Sequence, residues 1–114
     1  MTTVIIRKNS AGAYLGFTCI GHAEYAKKHL FYREPDILCA AISSWTIGTI
    51  NALQELAGEK LSVHAEEGVG FLKCDVEGSL QEKSIFLLDT MVFSLENLSR
   101  EYGEQYLKVR FEEV

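Results

Sequence analysis

Hydrophobic and polar residues follow one another along this chain in a pattern that predicts five strands. Near the N-terminus, two runs rich in β-branched and aromatic residues flank a turn of small residues, which is typical of a hairpin. Two similar runs lie in the second half of the chain, and a fifth closes it. The five predicted strands are TVIIRKN, AYLGFTCIG, KLSVHAEE, GFLKCDVEG and EQYLKVRFEEV.

Two helices are predicted from apolar residues that recur every three or four positions. The first covers residues 37–57, with Asp36 as a candidate N-cap and Gly58 as a stop, and the second ends at Gly103. The apolar stripe of the first helix comprises Leu38, Ala41, Ile42, Trp45, Thr49, Ala52, Leu53 and Leu56. The order β-β-α-β-β-α-β predicts an α+β fold, a small single domain over residues 1–114 whose sheet packs against two amphipathic helices.

Residues 23–35, between the second strand and the first helix, are predicted to form a loop. The run is irregular and polar, and its proline disfavours a helical conformation at the residue before it. The loop also carries aromatic side chains. We expect Tyr25, Phe31 and Tyr32 to contact an extended peptide substrate when the loop closes over it.

Composition and charge narrow the class of partner. Eleven Lys and Arg against sixteen Asp and Glu leave a net charge of -5. This is the wrong sign for neutralising a phosphate backbone, so a basic peptide or protein is a better partner than nucleic acid. We expect no apolar run long enough to span a membrane and no secretory signal, and hence a cytoplasmic protein with reduced cysteines.

Cys39 and His22 are the candidate catalytic pair. In the first turn of its helix, Cys39 would lie where the helix dipole stabilises a thiolate and where free backbone amides could receive an oxyanion. Gly21 allows a sharp turn that would direct His22 across a cleft toward that helix start. The residues alone nevertheless favour a simpler interpretation, in which Cys39 is a buried thiol and His22 a satisfied polar residue.

Two further residues are supporting candidates at this site. Asp36 either caps the helix or orients His22, and capping is the commoner role for an aspartate at such a position. Ser43 lies four residues after Cys39 on the same helical face. It either donates a hydrogen bond near the site or is a small residue that permits close packing.

No metal site or phosphate loop is expected. Cys19 and His22 form a C-x-x-H pair, but strand positions three apart point to opposite faces, and no second ligand pair accompanies them. Cys74 alternates with apolar residues, which predicts a core thiol. The run GVG at residues 68–70 lacks the lysine and the following helix of a phosphate loop.

Two separated motifs resemble one known family. The run G-H-A at residues 21–23 and the run D-I-L-C-A-A-I-S at residues 36–43 are similar to the paired signature of the ribosomal-processing cysteine protease family, Prp. The resemblance implies a bacterial endopeptidase that removes the N-terminal extension from the precursor of a large-subunit ribosomal protein. It also implies a homodimer, with Cys39 as the nucleophile and His22 as the catalytic histidine, and we expect no cofactor.

The chain departs from the family pattern in the segment AEYAKKHLFYREP, which is several residues longer than expected and ends in Glu34 and Pro35. The main alternative function is a module of the same fold that holds a ribosomal protein without cutting it. A redox or acyl-carrying thiol protein is a third interpretation. It requires a second cysteine placed to resolve an oxidised Cys39, and the sequence predicts none.

Overall fold

The structure is a computed structural model that describes residues 1–26 and 35–114. Its strands and helices are β1 (Thr2–Lys8), β2 (Tyr14–Ile20), α1 (Ile37–Glu55), β3 (Leu61–Glu66), β4 (Phe71–Val76), α2 (Glu82–Tyr102) and β5 (Leu107–Glu113). The order β-β-α-β-β-α-β and the α+β class predicted from the sequence are therefore confirmed. A short 3-10 turn, Glu67–Val69, connects β3 to β4.

The five strands form one mixed sheet in the order β3-β4-β2-β1-β5. Three neighbouring pairs are antiparallel, while β5 runs parallel to β1. In the pairing of β2 with β4, Ile20 lies opposite Phe71. The segment that leaves β2 and the connection that enters β4 therefore meet at the same end of the sheet.

The core lies between the sheet and the two helices. Alternate side chains of β1, those of Thr2, Val4 and Ile6, are buried. They face buried residues that both helices contribute: Leu38, Ile42, Ile50 and Leu53 from α1, and Leu88, Met91, Val92 and Leu95 from α2. Cys74 of β4 is buried in the same core, as its alternation predicted.

The buried stripe of α1 differs from the predicted one. Trp45 is 38% exposed and Leu56, the C-cap residue, is 78% exposed, so both were wrongly assigned to the core. Thr46 is buried instead, and its hydroxyl donates to the carbonyl oxygen of Ile42 at 2.9 Å. Because this bond satisfies the hydroxyl within the helix, a threonine can occupy a core position that a search for apolar residues passes over.

The apolar character of α1 is also greater than the sequence analysis recognised. The helix has 19 residues, and an 18-residue window of it has a mean hydropathy of 1.2, so by length and composition alone it could cross a membrane, as the core helix of a folded domain also could. Six of its residues are buried in the protein. Packing against the core thus accounts for part of its apolar character.

The predicted alternation of β3 corresponds only weakly to burial. Leu61 is half-buried, but Val63 and Ala65 are exposed, although all three alternate with the polar residues Ser62, His64 and Glu66. The reason is that β3 lies at the edge of the sheet, and the helices do not cover it there. The far end of β3 instead forms one wall of the cavity described next.

Candidate active site

The first turn of α1 holds Cys39. Asp36 is the N-cap, and its carboxylate accepts a hydrogen bond from the backbone amide of Cys39 at 2.9 Å. The amide of Ala40 donates to the carbonyl oxygen of Asp36 at 3.0 Å. The Cys39 side chain is half-buried. The thiol therefore lies at the helix end where the dipole favours negative charge.

Asp36 also ties this helix start to the segment that follows His22. Its second carboxylate oxygen accepts hydrogen bonds from the amides of Tyr25 at 2.8 Å and Ala26 at 3.3 Å. Burial acts to raise the pKa of Asp36, but backbone donors, that of Cys39 foremost, outweigh burial and lower the pKa below its usual value. Over the ranges 1–26 and 35–114, no hydrogen bond joins Asp36 to His22, so Asp36 acts there as a cap.

These hydrogen bonds correct one expectation about the oxyanion. The amide of Cys39 donates to the Asp36 carboxylate and the amide of Ala40 to its carbonyl oxygen. These amides are therefore not free to receive a developing oxyanion, which is the role that the sequence analysis expected for them. The reason is that an effective N-cap uses the same donors that an oxyanion would need.

His22 lies immediately beyond β2 in a turn that requires glycine. Gly21 has a φ of 92°, and a Cβ atom at this position would lie 2.4 Å from the carbonyl oxygen of Met1. The Gly21 amide donates to the carbonyl oxygen of Gly70 at 2.7 Å. Ala23, on the other side of His22, is fully buried. The backbone is thus held on both sides of His22, whose own side chain is exposed.

His22 and Cys39 line the same open cavity, which has a volume of about 270 Å³. The cavity lies between the first turns of α1, the end of β2 and the β3–β4 connection. Gly21 and Ser43 also line it, so the structure brings four of the residues selected from the sequence to one place. Much of its wall is apolar and consists of Ile42, Ile47, Ala65, Phe71 and Leu72.

The residues expected to bind substrate are placed differently. Tyr25 packs edge-on against Tyr102, with ring centroids 5.0 Å apart, and against Tyr106, at 5.1 Å. It does not line the cavity, and its contact with a peptide stays a prediction. Phe31 and Tyr32 lie outside the described residues, as does most of the predicted loop.

Cys19 is a cavity residue that the sequence analysis assigned to structure alone. Its side chain is 8% exposed, and it lines the cavity together with His22 and Cys39. Cys19 and His22 were expected to point to opposite faces of one strand. This failed because β2 ends at Ile20 and the positive φ of Gly21 changes the direction of the chain. The structure therefore puts a second cysteine in the cavity that Cys39 lines, a placement that the sequence analysis did not predict.

The environment of Cys19 keeps its thiol protonated at neutral pH. Burial, and after it the charge of the nearby Cys39, raise the pKa of Cys19 to about 11. A protonated thiol is a weak nucleophile and a weak metal ligand. Within the part of the chain that the structure describes, no group of three or more His, Cys, Asp or Glu side chains could hold a metal ion.

The β3–β4 connection is the part of the site that the sequence analysis missed. Glu67 and Gly70 from this connection line the cavity, together with Phe71 at the start of β4. The run GVG marked a turn here, and it was considered only as a phosphate loop. Nothing in the local sequence indicates that this turn lies beside the end of β2, because that proximity comes from the pairing of β2 with β4.

Known proteins resemble this chain over nearly its whole length. The proteins named ribosomal processing cysteine protease Prp from Bacillus subtilis (strain 168) and Staphylococcus aureus (strain Mu50) are each 28% identical to it, over 108 and 104 residues. The aligned regions cover 91% of this chain in both cases, and 92% and 93% of those proteins.

Two solved structures have the same fold. Both are of the essential ribosomal processing protease Prp from S. aureus, one with a covalently linked product peptide and one with a substrate peptide. Each has a TM-score of 0.82 and covers 98% of this chain and 100% of its own, at 24% and 23% sequence identity. The sequence model of the family described as cysteine protease Prp matches residues 1–107. The chain therefore belongs to the Prp family of cysteine proteases.

Proposed function

We propose that this protein is a cytoplasmic endopeptidase that removes the N-terminal extension from the precursor of a large-subunit ribosomal protein. One observation carries the proposal: His22 and Cys39, which are far apart in the sequence, line a single open cavity. The relatives named above are ribosomal processing proteases, and one has been solved with a substrate peptide, which supports a peptide as the ligand of this cavity.

In the proposed acylation step, the Cys39 thiolate attacks the carbonyl carbon of the scissile peptide bond. The α1 dipole stabilises the thiolate before attack. Collapse of the tetrahedral intermediate breaks the C–N bond, and His22, as imidazolium, gives its proton to the departing amine. The N-terminal part of the substrate remains on Cys39 as a thioester.

Deacylation uses the neutral imidazole that the first step leaves behind. His22 accepts a proton from water while the water oxygen attacks the thioester carbonyl, and the Cys39 thiolate is the leaving group. The carbonyl oxygen needs a hydrogen-bond donor in both steps. Since Asp36 already occupies the amides of Cys39 and Ala40, we assign this role to the hydroxyl of Ser43, which lines the cavity one turn beyond Cys39.

The walls of the cavity suit a particular kind of peptide. The apolar side chains of Ile42, Ile47, Phe71 and Leu72 favour apolar substrate residues next to the scissile bond. The net charge of -5 favours a substrate that is basic as a whole, as proteins that bind ribosomal RNA must be. An apolar cleavage segment attached to a basic protein satisfies both conditions.

The decisive experiment is incubation with the precursor ribosomal protein from the same organism, followed by intact-mass measurement. The unmodified enzyme should remove a single N-terminal segment, and Cys39→Ala should leave the precursor whole while still binding it. Binding without cleavage by the unmodified protein, together with slow alkylation of Cys39 at neutral pH, would establish the non-catalytic module instead.

The homodimer belongs to the same proposal, since the resemblance to the family implies it. Light scattering of the purified protein at micromolar concentration should give twice the mass of the 12.8 kDa chain. A monomer that cleaves the precursor at full rate would contradict the dimer and leave the proposed activity standing.

A further inference from the structure

The β3–β4 connection lies directly against the turn that carries His22. Gly70, the last residue before β4, accepts a hydrogen bond from the Gly21 amide at 2.7 Å. A Cβ atom at Gly70 would lie 2.7 Å from the carbonyl oxygen of Gly21 and 3.0 Å from Nε2 of His22. The two loops are thus in contact with no space left for a methyl group between them.

We propose that Gly70 is a positioning residue for His22. Because Gly70 has no side chain, the Gly21–His22 turn can pack against the β3–β4 connection with the imidazole in the cavity that Cys39 also lines. Gly70 is not a catalytic residue in this proposal, since it acts only through the place that it leaves for the imidazole. The inference rests on the proposed catalytic role of His22.

Backbone conformation alone does not account for the importance of this glycine. Gly70 has a φ of 64°, a left-handed conformation that glycine adopts without strain. Gly58 has nearly the same φ, 66°, but a Cβ atom there would meet nothing within 4 Å. The contact with Gly21 and His22 is therefore a requirement that Gly70 has in addition to its φ.

The geometry also indicates which group would move if Gly70 carried a side chain. The Gly21 carbonyl belongs to a backbone held by the hydrogen bond to Gly70 and by close contact with Met1. Nε2 of His22 is at the end of an exposed side chain, which can rotate. A methyl group at Gly70 would consequently displace the imidazole and strain the turn beneath it.

Displacement of His22 should affect the chemical steps more than substrate binding. Proton transfer requires the imidazole within hydrogen-bond reach of the leaving amine, and a shift of about 1 Å in a reacting group can cost about 100-fold in rate. The apolar wall formed by Ile42 and Ile47 belongs to α1, and neither residue is among the nearest neighbours of a Cβ atom at Gly70. We therefore expect a large decrease in kcat with a smaller change in KM.

The test compares Gly70→Ala with two matched controls in the full-length protein. Gly68→Ala lies in the same connection, with no left-handed φ and nothing within 4 Å of the added atom; Gly58→Ala reproduces the φ without the contact. For each variant, we would measure kcat and KM for precursor cleavage, the midpoint of thermal unfolding and the pH dependence of Cys39 alkylation by iodoacetamide.

Gly70→Ala should lose about 100-fold in kcat, with a changed pH profile of alkylation because the imidazole is displaced within the cavity that it shares with the thiol. Gly58→Ala should unfold at a lower temperature with kcat unchanged, and Gly68→Ala should match the unmodified enzyme. If Gly70→Ala loses only stability, as Gly58→Ala does, and keeps the kcat and alkylation profile of the unmodified enzyme, the proposal is wrong.

A measurement on the unmodified protein covers the case in which Gly70→Ala does not fold. Nuclear Overhauser effects between the Gly70 α-protons and the His22 ring protons are expected, and their absence would overturn the proposal.

The proposed function and the proposed role of Gly70 fail in different ways. If the unmodified protein does not cleave the precursor, the proposed function fails, while alkylation and the Overhauser effects still report whether Gly70 positions His22.

Discussion

At the scale of single residues, Cys39 and His22 are expected to act as one unit. Cys39→Ala should abolish cleavage with little loss of stability, because the half-buried thiol contributes far more to chemistry than to packing. His22→Ala should be almost as damaging. The double variant should be no slower than the slower single variant, and single-turnover cleavage of the precursor measures all three. A double variant much slower than either single one would show that the two residues act independently.

Asp36 is expected to make stability depend on pH in the acid range. Its pKa is lower in the folded protein, so its contribution is present above the unfolded pKa and is lost as the pH falls through the folded pKa. Asp36→Ala should lower the free energy of unfolding by about 1 to 2 kcal/mol at pH 7. Chemical denaturation between pH 2 and pH 7 should show that the difference in free energy of unfolding between the variant and the unmodified protein becomes smaller as the pH falls.

Asp36→Asn is the matched control for that measurement. Asparagine can still cap the helix, so most of the stability at pH 7 should remain, while the dependence on acid pH that Asp36 contributes should disappear. A variant that keeps the full acid dependence of the unmodified protein would assign that dependence to other carboxylates.

Cys74 is expected to produce the opposite pH dependence in the alkaline range. Burial, and then the Asp75 carboxylate, raise its pKa from 9.0 to about 11, with Arg7 acting in the other direction. The unfolded chain therefore ionises first, and stability should fall as the pH rises from about 9 to about 11. Cys74→Ala should reduce this slope, cost about 1 to 2 kcal/mol at pH 7 and leave kcat unchanged. An unchanged alkaline slope would contradict the assignment.

At the scale of elements, an ion pair connects two strands that are not neighbours. Arg7 of β1 reaches over Gly16 of β2 to Asp75 of β4, with 2.7 Å between Nη2 and Oδ1. Arg7 Nη2 also donates to the Cys74 carbonyl at 3.1 Å. A Cβ atom on Gly16 would lie 2.7 Å from Arg7 Nη2, so only glycine leaves a path for this side chain.

Removal of this ion pair should loosen the sheet. The Arg7 side chain is 14% exposed and that of Asp75 is 41% exposed. Asp75→Ala should therefore lower the free energy of unfolding by about 1 to 2 kcal/mol, which is less than the loss of a fully buried pair would cause. Lys73→Ala is the control, because Lys73 lies 3.7 Å from the same carboxylate and is itself 47% exposed. In urea denaturation, Lys73→Ala should lower the free energy of unfolding by no more than about 0.5 kcal/mol. Equal losses for the two variants would contradict this ranking.

At the scale of the whole molecule, the net charge of -5 should steer a basic substrate toward the enzyme. Screening shortens the range of this attraction, so kcat/KM for the intact precursor should fall as the salt concentration rises, while kcat should stay constant. A short uncharged peptide that contains only the cleavage site is the control and should show little dependence on salt. Equal salt dependence for both substrates would mean that the overall charge has no part in recognition.

The elements could be predicted from the sequence because they depend on local information, whereas the choice of His22 and Cys39 as candidate pair rested on two motifs that resemble one family. Each local feature depends on residues that are only a few positions apart: the strand and helix periods, the Asp36 cap and the glycine before His22. The G-H-A and D-I-L-C-A-A-I-S motifs were sufficient to identify the family. The burial of Trp45 and Leu56 was predicted wrongly, since which face of α1 meets the sheet depends on the sheet.

Only the tertiary structure decided what surrounds His22 and Cys39. The pairing of β2 with β4 brings Gly70 and Phe71 to the end of β2, and the turn at Gly21 lets Cys19 and His22 line one cavity. These contacts join residues distant in the chain, and no local pattern encodes them. The first turn of α1 shows the same limit. The sequence predicted both a cap and free donors there, and only the hydrogen bonds of Asp36 show that the cap occupies the amides of Cys39 and Ala40.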